Sequence, residues 1–120
     1  MNLNIKINSL YICVKDMRRA ISFYETLFDH SVDIEDEIFS IFKLNEFNFC
    51  LFNNEKVNEH VLYGYNCLPS FEVNNINLLI EKLELLKVKI VFQLSKINHN
   101  LVLEFEDSEG NHIEAYYKIK

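Results

Sequence analysis

The sequence has very few glycines, and this scarcity excludes two large classes of nucleotide-binding site. Only Gly64 and Gly110 are present, whereas phosphate-binding loops and dinucleotide fingerprints need several closely spaced glycines. Long apolar runs are also missing, since the longest fall far short of the ~20 residues that a membrane-spanning helix needs. Residues 1–6 lack both a basic start and an apolar segment, so we expect no export signal.

Cysteine and histidine are too few and too scattered to form a recognisable disulfide framework or zinc motif. Cys13, Cys50 and Cys67 are odd in number and far apart, and no Cys-x-x-Cys pattern occurs. The four histidines form neither a His-x-x-x-His nor a His-Glu pattern. We therefore interpret the cysteines as reduced thiols and expect a cytoplasmic protein.

The length and composition are those of one globular domain. A chain of 120 residues can bury roughly two-thirds of its unfolded surface. Apolar residues make up 49% and charged residues 25%, which is typical of a folded protein. A formal net charge of −6 argues against nucleic acid or an anionic membrane as a partner, and favours a cationic or neutral one.

The first half of the sequence predicts a strand, a helix and three further strands. Residues 10–14 form an apolar run that favours a strand, and Asp16 can cap the helix that follows. The apolar face of this helix consists of Met17, Ala20, Ile21, Tyr24, Leu27 and Phe28. Strands are then predicted near residues 32–34, 38–44 and 47–52.

The second half repeats this order of elements. Residues 70–73 predict a strand, and Asn75 predicts the cap of a second helix. The apolar face of this helix consists of Ile76, Leu79, Ile80, Leu83 and Leu86. Strands follow at about residues 89–94, 100–106 and 112–118.

The two halves align with each other as an internal repeat. Asp16 falls on Asn75, a shift of 59 (75 − 16), and Cys50 falls on Glu114, a shift of 64 (114 − 50). The predicted boundaries are about residues 5–53 for module 1, 54–67 for a linker and 68–120 for module 2. Because neither module can bury its sheet and helix alone, we expect both to pack into one shared core.

A predicted β-hairpin over residues 101–117 places several polar side chains on one face. Gly110 can take the positive φ that its tight turn requires. Alternation along the second strand then puts His112, Glu114 and Tyr116 on the same face. A carboxylate such as Glu114 either faces water on a half-exposed sheet or lines a cavity, and the local sequence leaves both interpretations open.

Two motifs resemble those of the vicinal oxygen chelate superfamily, which includes glyoxalase I, bleomycin resistance proteins, fosfomycin resistance enzymes and extradiol dioxygenases. Residues 11–25, Tyr-Ile-Cys-Val-Lys-Asp-Met-Arg-Arg-Ala-Ile-Ser-Phe-Tyr-Glu, are similar to the family's first strand and helix. Residues 105–114, Phe-Glu-Asp-Ser-Glu-Gly-Asn-His-Ile-Glu, are similar to its Phe-x-Asp-Pro-(Asp/Glu)-Gly-Asn-x-aliphatic-Glu hairpin. The resemblance implies an α+β fold of two tandem βαβββ modules that form a curved mixed-sheet cup, often completed in a homodimer.

The same resemblance implies where a metal would be held, and most of those positions lack a suitable donor. Carried onto this chain, the four ligand positions are Ser9, Cys50, Leu68 and Glu114. Leu68 has no donor atom, Ser9 is a poor neutral ligand, and only Glu114 keeps the family's residue type. We therefore expect no metal, with an irregular site built from His112, Cys50 and Glu114 as the alternative.

The inward faces of the predicted strands give the expected wall of the cup. The candidate ligand-binding residues are Ser9, Tyr11, Cys50, Phe52, Leu68, Ser70, Glu72, His112, Glu114 and Tyr116. Carboxylates beside aromatic rings suit a cationic or aromatic organic ligand. The alternative is that large side chains fill the cup as core. Tyr63 and Tyr65 in the linker are candidates to cover its mouth.

Three functions from different classes follow from this reading. The first is a metal-free protein, similar to the bleomycin resistance type, that binds a small organic molecule. The second is a metal-dependent lyase, isomerase or thiol transferase similar to glyoxalase I or the fosfomycin enzymes, with Glu114 as ligand or base. A metal-free enzyme with Glu114 or Glu72 as general base is a separate alternative to the second. The third is a purely interacting domain whose dimer interface is its function.

Overall fold

Each half of the chain builds its own mixed sheet with one helix packed against it. The computed structural model describes residues 3–4, 6–64 and 67–120. Its elements are β1 (Ser9–Cys13), α1 (Met17–Phe28), β2 (Phe39–Leu44), β3 (Phe47–Phe52), a 3-10 turn (Asn54–Val57), β4 (Ser70–Glu72), α2 (Ile76–Leu85), β5 (Ile90–Ile97), β6 (Asn100–Glu106) and β7 (His112–Lys118). None of the helices in these residues is long and apolar enough to cross a bilayer.

The two sheets repeat one strand arrangement, and this confirms the predicted α+β class. The first sheet has the order β1-β3-β2 and the second has the order β4-β7-β6-β5. In each, the strand before the helix pairs in parallel with the last strand of its module, while the hairpin strands pair antiparallel. The connection through the helix makes the parallel pairing possible.

The predicted strand at residues 32–34 is wrong, because that segment forms only a single antiparallel bridge between Ile34 and Ile41. Aspartate side chains take the backbone donors that a longer ladder would use. Asp33 accepts a hydrogen bond from the backbone N–H of Lys43 at 2.6 Å, and Asp36 accepts from the backbone N–H groups of Ile38 and Phe39 at the start of β2. Such local side-chain bonds compete with sheet pairing.

Both helices start at the residues that the sequence predicts. The Asp16 side chain accepts a hydrogen bond from the backbone N–H of Arg19 at 3.0 Å, and the Asn75 side chain accepts one from Leu78 at 3.1 Å. Both capping residues are extended, as N-caps require. The matching caps confirm the predicted start of each helix.

Aromatic rings from both modules meet in one core. Tyr24 and Phe49 of module 1 have ring centroids 5.0 Å apart, and Phe49 lies 5.5 Å from Phe71 of module 2. Phe28 at the end of α1 lies 5.4 Å from the same Phe71 ring. Because buried aromatic area is a large favourable term, these contacts join the modules on the helix side of the sheets.

Truncation of a core ring should therefore destabilise the whole chain. Phe49→Ala removes a side chain that is 1% exposed, and we expect its free energy of unfolding to fall by about 3–5 kcal/mol. Phe92→Ala is the matched control, since Phe92 lies on a strand but is 46% exposed. Urea unfolding measures both, and equal losses in the two variants would contradict the shared core.

Candidate functional site

The first sheet presents a cluster of three aromatic rings on the side away from the helices, of which two are exposed and one is half-buried. The Tyr11 ring lies 6.0 Å from Phe39 and 5.4 Å from Phe52, and the last two are 6.2 Å apart. Tyr11 is 55% exposed. We call Tyr11, Phe39 and Phe52 the aromatic patch. Rings left this exposed on a strand face are available to contact a ligand or a second chain.

Two other predicted residues of module 1 flank the aromatic patch. Cys50 pairs with Tyr11 in the parallel register of β1 and β3, and Ser9 pairs with Asn48. Cys50 is buried, and this burial raises the pKa of its thiol. A buried thiol with a raised pKa is a poor thiolate donor, which disfavours metal binding at this position.

The second sheet presents a polar face built from β4 and β7. Ser70 and Glu114 are partners in the parallel register, and the Ser70 hydroxyl donates a hydrogen bond of 2.6 Å to the Glu114 carboxylate. One step along the same face, the Tyr116 hydroxyl lies 3.5 Å from the Glu72 carboxylate. Four of the predicted residues are therefore brought together as two neighbouring pairs.

Strand β6 adds two carboxylates to this face. His112 Nδ1 lies 2.9 Å from the Glu104 carboxylate, and His112 Nε2 lies 3.8 Å from Glu106. Glu104 is also the register partner of Glu114 across the hairpin. We call Glu72, Glu104, Glu106 and Glu114 the acidic face.

Sequence reasoning missed Glu104 and Glu106, although a signal for them was present. Both alternate along β6 with the buried Leu103 and Phe105. In a strand, residues that alternate with core residues lie on the opposite face. The same pattern that placed Glu114 would therefore have placed the β6 glutamates beside it.

The predicted ligand-binding residues fall into two groups, one on each sheet. Contacts of the Tyr11 and Phe52 rings lie within the first sheet, and the Ser70–Glu114 pair lies within the second. Leu68 lies before β4 and is 41% exposed. Because Tyr11 and Leu68 are this exposed, large side chains do not fill the face as a buried core in the single chain.

One of the two linker tyrosines, Tyr63, contacts module 1. The Tyr63 hydroxyl donates a hydrogen bond of 2.9 Å to the Asn54 side chain, and Lys15 Nζ lies 4.5 Å from the centre of its ring. Tyr65 lies outside the described residues. The contacts of Tyr63 therefore fix it against module 1, beside the end of β1.

The donors at the positions implied for a metal do not fit a divalent ion. Within residues 3–4, 6–64 and 67–120, no group of three or more His, Cys, Asp or Glu side chains is arranged to hold one. His112 is bonded to Glu104, and Glu114 accepts from Ser70. Both side chains are therefore engaged with protein partners and are not arranged as a set of metal ligands.

The hairpin turn at residues 107–111, which we call the clamp turn, binds module 2 to module 1. Glu109 is 2% exposed, and its Oε1 accepts hydrogen bonds from the backbone N–H groups of Lys15 and Asp16 at 2.8 and 2.9 Å. Arg19 Nε lies 2.7 Å from Glu109 Oε2. Burial alone would raise the pKa of Glu109, but Arg19 and the two N–H groups lower it.

A second carboxylate of the clamp turn is held by the core of module 1. The Tyr24 hydroxyl donates a hydrogen bond of 2.5 Å to Asp107, which also accepts from the backbone N–H groups of Glu109 and Asn111. Burial raises the pKa of Asp107 despite these donors. The Asn111 side chain donates to the Cys13 carbonyl at 2.8 Å. The turn therefore positions β7, which carries His112 and Glu114, relative to β1.

The clamp should make stability depend on pH through Glu109. Because its pKa is lowered by folding, Glu109 contributes stability above its unfolded pKa of about 4.5, and this contribution is lost as the pH falls through the lower folded value. We expect Glu109→Gln to lose about 2 kcal/mol at pH 7 and to show a flatter pH dependence in the acid range.

Urea unfolding from about pH 7 to about pH 3 measures this effect. The matched control is Glu46→Gln, because Glu46 is an exposed glutamate in the equivalent hairpin turn of module 1. If both variants lose the same stability at pH 7, the role assigned to Glu109 is wrong.

Comparison with known proteins supports the architecture. No family model and no curated protein matches the sequence. A glyoxalase-related enzyme from Fulvimarina pelagi superposes with a TM-score of 0.79 at 15% identity, covering 94% of this chain and 88% of that one. A lactoylglutathione lyase from Agrobacterium tumefaciens superposes with a TM-score of 0.77 at 14% identity, covering 97% and 96%.

A third solved structure carries the full family description. This glyoxalase/bleomycin resistance protein/dioxygenase from Nocardioides has a TM-score of 0.77 at 13% identity and covers 100% of this chain and 87% of that one. The chain therefore has the glyoxalase/bleomycin resistance protein/dioxygenase fold. The fold implied by the two sequence motifs is confirmed.

Proposed function

We propose that the protein binds a small cationic organic molecule, without a metal, at the acidic face. The single observation that carries this proposal is the placement of four carboxylates on one face of β4, β6 and β7, where the Tyr116 hydroxyl lies 3.5 Å from one of them, Glu72. Lys89 Nζ lies 3.5 Å from Glu106, and the His112 ring lies 2.9 Å from Glu104. A cation would offset the mutual repulsion of the carboxylates and gain contact with the aromatic ring.

The aromatic patch supplies the apolar wall of the proposed site through a homodimer. The aromatic patch and the acidic face both lie on the surface of the single chain. The two modules of one chain join on the opposite side of the sheets, where the helices pack. A second copy can cover the Tyr11, Phe39 and Phe52 rings with its own acidic face, and the reciprocal contact forms by symmetry. The ligand would then lie between the rings of one protomer and the carboxylates of its partner.

Cation binding should depend on Glu114. We use a benzyl quaternary ammonium compound as the probe and its uncharged carbon isostere as the reference. Titration calorimetry should detect the cation, should show weaker binding at high salt, and should show roughly tenfold weaker binding in Glu114→Gln, since one charged partner is lost.

Glu81→Gln is the matched control, because it removes an equal charge from the exposed side of α2. Equal weakening in both variants, or equal affinity for the uncharged isostere, would contradict the proposed site. Binding should survive treatment with a chelator. A chelator-sensitive affinity together with a bound divalent ion in elemental analysis would favour the metal-dependent lyase, the candidate suggested by Glu114 and by the fold shared with the lactoylglutathione lyase.

Dimer formation should depend on the aromatic patch. We expect sedimentation to give a dimer for the wild type and a shift toward monomer for Tyr11→Glu, because a charge on a covered ring position must be desolvated. Leu85→Glu is the control, since Leu85 is 72% exposed on α2. A monomeric wild type, or a dimer that tolerates Tyr11→Glu, would contradict this interface.

A further inference from the structure

The internal repeat relates the clamp turn to a cavity at the other end of the shared core. In module 1, the junction between β1 and α1 holds the Glu109 carboxylate through Lys15, Asp16 and Arg19. The shift of 59 places Asn74, Asn75 and Leu78 at the equivalent positions between β4 and α2. We call the segment between β4 and α2 the second junction. Since the clamp turn of module 2 fills the first junction, the repeat predicts that the β2–β3 turn of module 1 fills the second.

The turn of module 1 is too short to do so. Only Asn45 and Glu46 separate β2 from β3, whereas five residues separate β6 from β7. A cavity of about 700 Å³ lies there, with Asn45 on one side and Asn74 and Asn75 on the other. Its size is that of a small-molecule site.

Much of the cavity wall is apolar, although the acidic residues Asp29 and Glu72 also line it. Phe28 and Leu27 at the end of α1, Phe71 on β4, Leu79 on α2 and Phe105 on β6 all line it. The polar groups that hold the clamp turn are replaced by apolar ones, because Arg19 corresponds to Leu78 and Tyr24 to Leu83. An occupant therefore needs an apolar body.

The backbone donors of the second junction are still in place. Val73 N–H donates to the Tyr116 carbonyl as Val14 N–H donates to Phe52, so the two junctions have the same backbone path. In the first junction, the next two N–H groups donate to Glu109. Within the described part of the chain, the corresponding N–H groups of Asn74 and Asn75 donate to no protein acceptor, and both residues are exposed, so a ligand can reach these two groups.

We propose that this cavity binds a small carboxylic acid with an apolar body, whose carboxylate takes the position that Glu109 occupies in the first junction. Two independent observations support it: a cavity of ligand size, and a repeat-related junction in the same structure that already holds a carboxylate. Asn75 in place of Asp16 removes a negative charge that would oppose the ligand. Lys82 at the cavity is paired with Asp29 and donates to the carbonyls of Thr26 and Leu27, so the two N–H groups carry the recognition.

The test compares 4-phenylbutyrate with the uncharged 4-phenylbutyramide by amide NMR titration of the full chain. The acid should cause saturable shifts at the Asn74 and Asn75 N–H signals, and the amide should cause smaller ones. Leu78→Arg restores the arginine of the first junction at a position that is 44% exposed. We expect it to bind the acid roughly fivefold more tightly and to leave the amide unchanged.

Leu85→Arg is the matched control, since it adds the same charge at the far, exposed end of α2. The proposal is overturned by an absence of saturation up to about 10 mM, a range that includes millimolar affinity. It is also overturned by shifts centred on Glu104, Glu106 and Glu114, by equal binding of acid and amide, or by equal gains in the two arginine variants. The acidic face is tested with a cation and the cavity with an anion. A negative result at one site therefore leaves the proposal for the other site testable.

Discussion

The arrangement of the two modules depends on a carboxylate that crosses between them. Glu109 is buried in the clamp turn of module 2, yet its carboxylate accepts hydrogen bonds from module 1, namely from the backbone of Lys15 and Asp16 and from the side chain of Arg19. A buried charge of this kind is tolerated only when its oxygens are satisfied. The contact therefore fixes one orientation of the modules, while the shared aromatic core supplies the less directional part of their attraction.

Most elements of the fold could be predicted from the sequence because each has a local signal. Capping residues before periodic apolar faces predicted both helices, and Gly110 with φ of 89° occupies the predicted turn. The strand at residues 32–34 failed because aspartate side chains took backbone donors there. Alternation alone does not reveal that competition.

For the candidate site, the sequence could predict which side chains share a face of a strand, but it could not predict which distant residues they contact. Alternation placed Glu114 and Tyr116 together, and the parallel register then paired them with Ser70 and Glu72. The role of Glu109 was not predictable from local pattern, since Arg19 lies 90 residues away in the chain. Contacts between residues so far apart in the chain depend on how the modules pack. No regular spacing in a single sequence indicates them.

The long separation in the clamp also constrains how the protein folds. The Lys15 and Asp16 N–H groups just before α1 are bonded to Glu109, which lies 93 to 94 positions further along the chain. During synthesis, Asp16 can already cap α1, but these two N–H groups are bonded only to water, and the clamp can close only after the hairpin of β6 and β7 has left the ribosome. The chain loses the entropy of closing so long a loop before the stabilising contacts form. We therefore expect docking of the final hairpin to be a late and comparatively slow event in folding.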